Sequence, residues 1–310
     1  MNFLFFPLTS FLTAAASVAV LKKFSEKTGF LVDVPEGDFL KIHTQKIPLI
    51  GGLAILISSA INLSFVLLKY QDFKIIALLF GVAVVFALGF WDDLKWKHIT
   101  TIKPFIKFAL LIVATLIPAI TLFFVGITFN FLPYYAISVL LSFFYIFLVI
   151  NSVNYQDGID GLAGGLVFIS LAGFFVLSVF LNNFFAIYIS LIFLGVVLAF
   201  LVFNFPPAKI FMGDSGAYVL GFILAILAMV FSKPFNIYSA LGPAFIIGLP
   251  IFDGIYTNIR RLLLGKSIFF GDRSHFYDKL IQKGFSVKKT LAICYSLQIV
   301  FVILGILIYK

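Results

Sequence analysis

The stretch Phe108-Ala-Leu-Leu-Ile-Val-Ala-Thr-Leu-Ile-Pro-Ala-Ile-Thr-Leu-Phe-Phe124 carries no charge, and its apolar residues run on without two-residue alternation. With its apolar flanks it is long enough to cross roughly 30 Å of hydrocarbon. Ile55 to Leu68 and Leu291 to Tyr309 read the same way. Backbone groups inside a bilayer must pair within the chain, and unbroken apolar runs select helices over the alternating strands of a barrel. A composition of 62% hydrophobic and 11% charged residues excludes an ordinary soluble core. The fold class expected is all-α: a polytopic membrane bundle of about ten transmembrane helices.

Working outward from that run, spans are expected at about 3–22, 48–68, 74–91, 105–125, 134–151, 161–181, 185–204, 214–231, 238–256 and 289–309. The first has no basic residues before it and no plain cleavage site, and is read as a retained helix. The single cysteine, Cys294, lies in the last run as lipid-facing or packing material. Alternating the connections puts eighteen lysines and arginines on one face and only Lys69, Lys74, Lys233 and Lys310 on the other. By the positive-inside bias the basic face is cytoplasmic and both termini are outside. The net charge of +9 then reflects topology and not nucleic-acid binding. Twelve of the thirteen acidic residues lie on the basic face or at the ends of helices opening onto it, Asp72 being the exception. Carboxylates crowded with cations at one membrane surface suit a polyanion held through metal and basic groups. With no internal repeat, one domain is expected, with cytoplasmic loops at about 23–47, 92–104, 152–160, 205–213 and 257–288.

Asp92-Asp93 end the third span; the plain alternative is a solvated helix end beside Lys95 and Lys97. Asn151-Ser-Val-Asn154-Tyr-Gln-Asp157-Gly-Ile-Asp160-Gly161 places four polar side chains at steps of three. An unbroken helix would spread them by about 60° per step, so a turn loosened by Gly158 and Gly161 is expected to gather them. In Asn204-Phe-Pro206-Pro207-Ala-Lys209-Ile-Phe211-Met-Gly213-Asp214-Ser215-Gly216, the prolines stop one helix and Asp214 can begin the next as an N-cap. Its functional alternative is a hard oxygen ligand for magnesium, with Phe211 a stacking face for a base. The largest loop carries Arg260-Arg261 and Gly271-Asp272-Arg273-Ser274-His275-Phe276-Tyr277-Asp278, suited to phosphate oxygens or to anchoring at anionic lipid. His43 and the 41–52 segment are a weaker version of the pattern. No phosphate-loop, dinucleotide or zinc-type spacing is present, which leaves ATP-driven transport and NAD chemistry unsupported.

Five blocks in register, Pro48 to Gly52, Gly89 to Asp93, Asn151 to Gly164, Asn204 to Gly216 and Arg260 to Leu280, resemble the polyprenyl-phosphate N-acetylhexosamine-1-phosphate transferase superfamily, glycosyltransferase family 4. The resemblance implies transfer of a sugar-1-phosphate from a UDP-N-acetylhexosamine to undecaprenyl or another polyprenyl phosphate. UMP is released at the cytoplasmic face of a prokaryotic inner membrane, with magnesium, or alternatively manganese, as cofactor. Nucleic acid is not an expected partner, membrane lipid is, and a homodimer is compatible. Carried over, Asp214 is the magnesium ligand with Asp157 close to the metal or diphosphate. Asp92 and Asp93 hold or activate the acceptor phosphate, although a phosphate monoester with a second pKa of about 6 is already largely ionised. Phe211 and Asp160 are implied as uracil contacts, and Asn204, Asn154 and Asn151 as substrate-binding residues. Lys107, Arg273 and His275 are implied to hold phosphate, His275 within the catalytic set.

The branch is read from departures. Phospho-N-acetylmuramoyl-pentapeptide transferases have a run of histidines in the last large loop, where this chain has Ser274-His275-Phe276-Tyr277-Asp278. That favours the N-acetylglucosamine-1-phosphate branch, which starts O-antigen, teichoic acid and related surface polymers, with the pentapeptide branch as the alternative. Trp96 stands where some members have a third aspartate. The rival from another class is an ion-coupled secondary transporter, which would place its essential polar groups near the bilayer midplane.

Overall fold

The computed structural model describes residues 4–34, 46–95, 104–132, 134–265 and 273–309. His43, Trp96 and Asp272, and the matching parts of the 23–47, 92–104 and 257–288 loops, lie outside the described residues. In chain order the elements are α1 (Phe5–Thr28), β1 (Val32–Asp33), β2 (Ile47–Pro48), α2 (Gly51–Tyr70), α3 (Lys74–Lys95), α4 (Pro104–Phe124) and α5 (Tyr135–Tyr155). They continue with α6 (Leu162–Phe180), α7 (Phe184–Asn204), α8 (Gly213–Val230), α9 (Tyr238–Leu263), α10 (Phe276–Gln282) and α11 (Val287–Tyr309). All but α10 are long and apolar enough to cross a membrane, which gives the ten spans expected from the apolar runs. The chain is a polytopic helical membrane protein. Its only sheet among the described residues is the two-residue antiparallel pair β1–β2, Val32 opposite Pro48 and Asp33 opposite Ile47.

Several helices run past the expected span ends: α1 to Thr28, α3 to Lys95, α5 to Tyr155 and α9 to Leu263. Asp92, Asp93, Asn151 and Asn154 therefore stand on the last turns of helices and not in loops. Charged and amide residues tolerate such places because the final turn reaches the polar interface.

The bundle is built around α8, buried from Ser215 to Met229 and packed by α2, α3, α5, α6, α7 and α9. Lipid tails are as apolar as leucine, so close backbone approach has to hold such helices together. On α8 a Cβ at Gly221 would sit 2.7 Å from Ile150 Cα of α5. Cys294 of α11 is buried in a cluster with Ile159, Leu166, Leu249 and Tyr277, the packing role and not the lipid-facing one.

Helix α9 is broken at Gly248, whose φ of 7° and ψ of −87° are not helical, with Pro250 two residues on. Pro250 has no N–H for the Ile246 carbonyl, and a group left unpaired inside a bilayer is costly. Gln298 of α11 supplies the missing partner: its Nε2 donates to Ile246 O at 2.7 Å and to Ser170 Oγ at 2.9 Å. Its Oε1 accepts from Leu249 N at 2.9 Å. One amide thus repairs the break and sets the direction of the lower half of α9, which carries Asp253, Thr257, Arg260 and Arg261.

Candidate active site

The site is assembled on the first turn of α8. That helix begins at Gly213, with Met212 at the N-cap and no cap from its own side chains. Asp214 is its second residue, so the expected N-cap role is corrected. The cap comes from another helix. Asp93 of α3 accepts from Asp214 N at 2.8 Å, Ser215 N at 3.1 Å and Ser215 Oγ at 2.5 Å. These are the backbone donors that a capping side chain normally satisfies from within its own helix.

The approach needs glycines. Gly213 has a φ of +73°, and a Cβ on it would lie 2.7 Å from Asp93 Oδ2. A Cβ on Gly89 would sit 2.6 Å from Ser215 N, and one on Gly52 2.1 Å from Ser215 Oγ. The 48–52 block is laced to the same loop by backbone bonds: Phe211 N to Pro48 O at 2.9 Å, Gly51 N to Phe211 O at 2.9 Å and Gly52 N to Met212 O at 2.9 Å.

With its backbone fixed from behind, Asp214 turns its carboxylate to two other helices. Asn154 of α5 donates from Nδ2 to Oδ1 at 2.8 Å. Lys107 of α4 donates from Nζ to Oδ2 at 2.8 Å, and also to Asp92 Oδ2 of α3. Lys107 bridges two carboxylates at a half-open position, its side chain 37% exposed against 15% and 26% for Asp92 and Asp214. Four helix ends converge here: the last turns of α3 and α5 and the first turns of α4 and α8.

Asp157 lies on the turn between α5 and α6 and accepts from the Gly213 backbone. Burial, then the negative charges of Asp214, Asp93 and Asp160, push its carboxyl well above the usual carboxylate range. Such a carboxyl favours whatever cation relieves it. The oxygen donors of Asp92, Asp157, Asp214 and Asn154 suit a hard cation of the magnesium kind. Among the described residues no three acidic, histidine or cysteine side chains form a closed metal cage. Magnesium typically takes one or two carboxylates and completes its shell with water and substrate phosphates, so this donor set fits it.

The remaining predicted residues divide. Asp160 Oδ2 accepts from Ala208 N at 2.9 Å. Asn204 is buried and spends its amide on backbone, accepting from Gly161 N at 3.0 Å and donating to Ile210 O at 2.9 Å. Together they sew the 156–161 turn to the 205–212 loop. Asn151 donates back to Phe147 O of its own helix at 2.7 Å, so the turn does not gather all four polar groups of that segment. Phe211 is half-buried in the loop before α8. Arg273 and His275 sit before α10, where Gln282 Nε2 donates to Arg273 O at 2.8 Å and His275 N donates to Asp278 Oδ2 at 3.3 Å. His275 pairs with Asp253, a residue the sequence reading passed over, although a lone carboxylate in the 238–256 apolar run is itself a signal.

The class these features define is a multi-pass membrane protein whose carboxylates, amide and lysine meet at one end of the bundle. A family model for glycosyl transferase family 4 matches residues 75–232. A Bacillus subtilis protein named "Probable undecaprenyl-phosphate N-acetylglucosaminyl 1-phosphate transferase" is 31% identical over 97% of this chain and 83% of its own length. A phospho-N-acetylmuramoyl-pentapeptide-transferase of Prochlorococcus marinus is 30% identical over 98% of this chain and 88% of its own. A decaprenyl-phosphate N-acetylglucosaminephosphotransferase of Mycolicibacterium smegmatis is 28% identical over 82% and 70%. The chain belongs to glycosyl transferase family 4, the polyprenyl-phosphate N-acetylhexosamine-1-phosphate transferases, as the five sequence blocks implied.

Proposed function

We propose that this protein transfers N-acetylglucosamine-1-phosphate from UDP-N-acetylglucosamine to undecaprenyl phosphate and releases UMP. It would act at the cytoplasmic face of a prokaryotic inner membrane, as the first membrane step of a cell-surface polysaccharide. The observation that carries the reading is the joining of Asp92, Lys107, Asn154 and Asp214 at one end of the bundle. A transporter would set such groups near the midplane. The similarity to the Bacillus subtilis relative over nearly the whole chain supports the donor sugar.

In the reaction an oxygen of the acceptor phosphate forms a bond to the sugar-bearing phosphorus of the donor. The bond from that phosphorus to the bridging oxygen breaks, and the electron pair leaves on UMP. The acceptor is already largely ionised at neutral pH, so the burden on the protein is positioning and charge, not proton removal. Lys107 brings a fixed ammonium to a half-open position, where it stabilises charge moving from the acceptor to the leaving group. Asn154 and Lys107 together hold Asp214 in one orientation. Asp93 acts behind it, fixing the α8 backbone, and Asp160 and Asn204 keep the walls of the opening in register. Asp214 and Asp157 would hold magnesium, or manganese in its place, which when bound neutralises diphosphate charge.

The 30% identity to the Prochlorococcus marinus protein over almost the entire chain favours a second reading, the pentapeptide donor. Purified protein in detergent with undecaprenyl phosphate and magnesium separates them. Fastest UMP release from UDP-N-acetylglucosamine, over UDP-N-acetylgalactosamine and UDP-muramoyl-pentapeptide, is expected. Fastest release from the pentapeptide donor would move the assignment to the second reading.

A further inference from the structure

Asp253 lies five residues past the break in α9, in the run Leu249-Pro-Ile-Phe-Asp253-Gly-Ile-Tyr256, and is buried. A carboxylate there is costly unless each oxygen is matched. Its Oδ1 accepts from Phe276 N at 2.8 Å. Its Oδ2 takes two partners, His275 Nδ1 at 2.9 Å and Gln156 Nε2 at 2.9 Å. One side chain thus ties together the lower half of α9, the start of α10 and the residue next to Asp157.

The bond to His275 has a chemical consequence. An ionised carboxylate only accepts, so the proton of this pair sits on Nδ1. Thr257 Oγ1, 3.4 Å from the same nitrogen, does not compete in length. Tyr155 and Tyr277 flank the imidazole, with ring centroids 5.1 Å and 6.0 Å away and the Tyr277 ring tilted by only 4°. The ring is held at Nδ1 by Asp253 and packed by two aromatic rings, which leaves Nε2 as the nitrogen not taken by the Asp253 bond. Gln156 meanwhile pins the turn that places Asp157.

We propose that Asp253 is a positioning residue of the transferase site: it fixes the tautomer and orientation of His275, so that Nε2 faces a substrate phosphate, and anchors the Asp157 turn through Gln156. The proposal rests on the transferase reading for its kinetic test, but not for its spectroscopic one. An Asp253→Asn substitution keeps the volume and removes the obligate acceptor. Losing the outer partner that orients a metal-ligating histidine typically costs about 10- to 100-fold, and a loss on that scale is taken for His275. That loss is expected in kcat, with KM for the UDP-sugar changing far less. In a His275→Ala background the same substitution is expected to add little, because the imidazole is gone and an asparagine Oδ1 can still accept from Gln156. Full additive losses in the two backgrounds would overturn the proposal.

Should the asparagine variant fail to fold, the unaltered protein still decides. The chain has three histidines, and 15N-histidine labelling in bilayers, with His275→Gln used for assignment, reads the tautomer directly. Neutral His275 protonated on Nδ1 with a bare Nε2 is the expected result, and the Nε2-protonated tautomer overturns it. Absence of turnover with every donor, alongside the Nδ1 tautomer, would fault the transferase reading and leave the pairing in place.

Discussion

Two helices in this protein take a carboxylate from another helix at their first turn. At α8, Asp93 of α3 takes the Asp214 and Ser215 N–H groups. At α10, Asp253 of α9 takes the Phe276 N–H and the ring of His275. In both, one buried acid is spent on support and a neighbouring residue is thereby presented: Asp214 at the first, His275 at the second. The difference lies in what is presented. Asp214 shares a lysine with Asp92 and is partly exposed, whereas His275 is buried beside aromatic rings. Adjacent acids such as Asp92 and Asp93 can therefore have unlike tasks, one turned to Lys107 and the other to the helix behind it.

The largest effect is expected at the presented carboxylate. Asp214→Asn should lower turnover by about 10²- to 10³-fold, the scale of losing charge stabilisation, because it loosens the magnesium and Lys107 that would supply it, with the protein still folded. A steady-state assay beside a melting curve reads both. Asp93→Ala should reduce activity as well, but with a signature Asp214→Asn lacks: loss of about 1–2 kcal/mol of stability from the uncapped α8. Asp93→Asn, which retains an acceptor, should fall between wild type and alanine. If alanine and asparagine were equally inactive at unchanged stability, Asp93 would be touching substrate and the parallel with Asp253 would break.

Next in size is Gln298→Leu, which leaves Leu249 N–H and the Ile246 carbonyl unpaired and should cost about 1–3 kcal/mol. Its effect on turnover should be smaller and come through displacement of Asp253. Metal and pH sharpen the first region further. Asp157 has its carboxyl raised in the folded protein, so the metal-free fold binds that proton more tightly than the unfolded chain does. The stability from this group is present at low pH and lost as pH rises through the folded value. Magnesium competes with the same proton, so its stabilising effect on the melting temperature should grow with rising pH. The smallest effect is expected at Asn151, whose amide bonds its own helix. Asn151→Ala should stay within about 0.5 kcal/mol of wild type, with near-normal turnover.

The spans were legible because bilayer thickness sets a length that apolar runs report directly. The polar ends were legible too, since Asp92, Asn154, Lys107 and Asp214 interrupt otherwise apolar sequence. What separates a presented group from a supporting one was not. The cap of α8 comes from a residue far back in the chain, and nothing in the sequence shows that Asn204 bonds Gly161 N and Ile210 O. Asp253 was missed although its charge interrupts an apolar run, because its partner His275 is reached only through the bend at Gly248 and the amide of Gln298.

The central claim is tested most directly by incubating the purified protein with UDP-N-acetylglucosamine labelled in the sugar, undecaprenyl phosphate and magnesium, and following label into the lipid phase. Labelled lipid in equal amount to released UMP, dependent on magnesium and abolished by Asp214→Asn, is the result expected. UMP release without labelled lipid, or undiminished transfer by the Asp214→Asn protein, would contradict it.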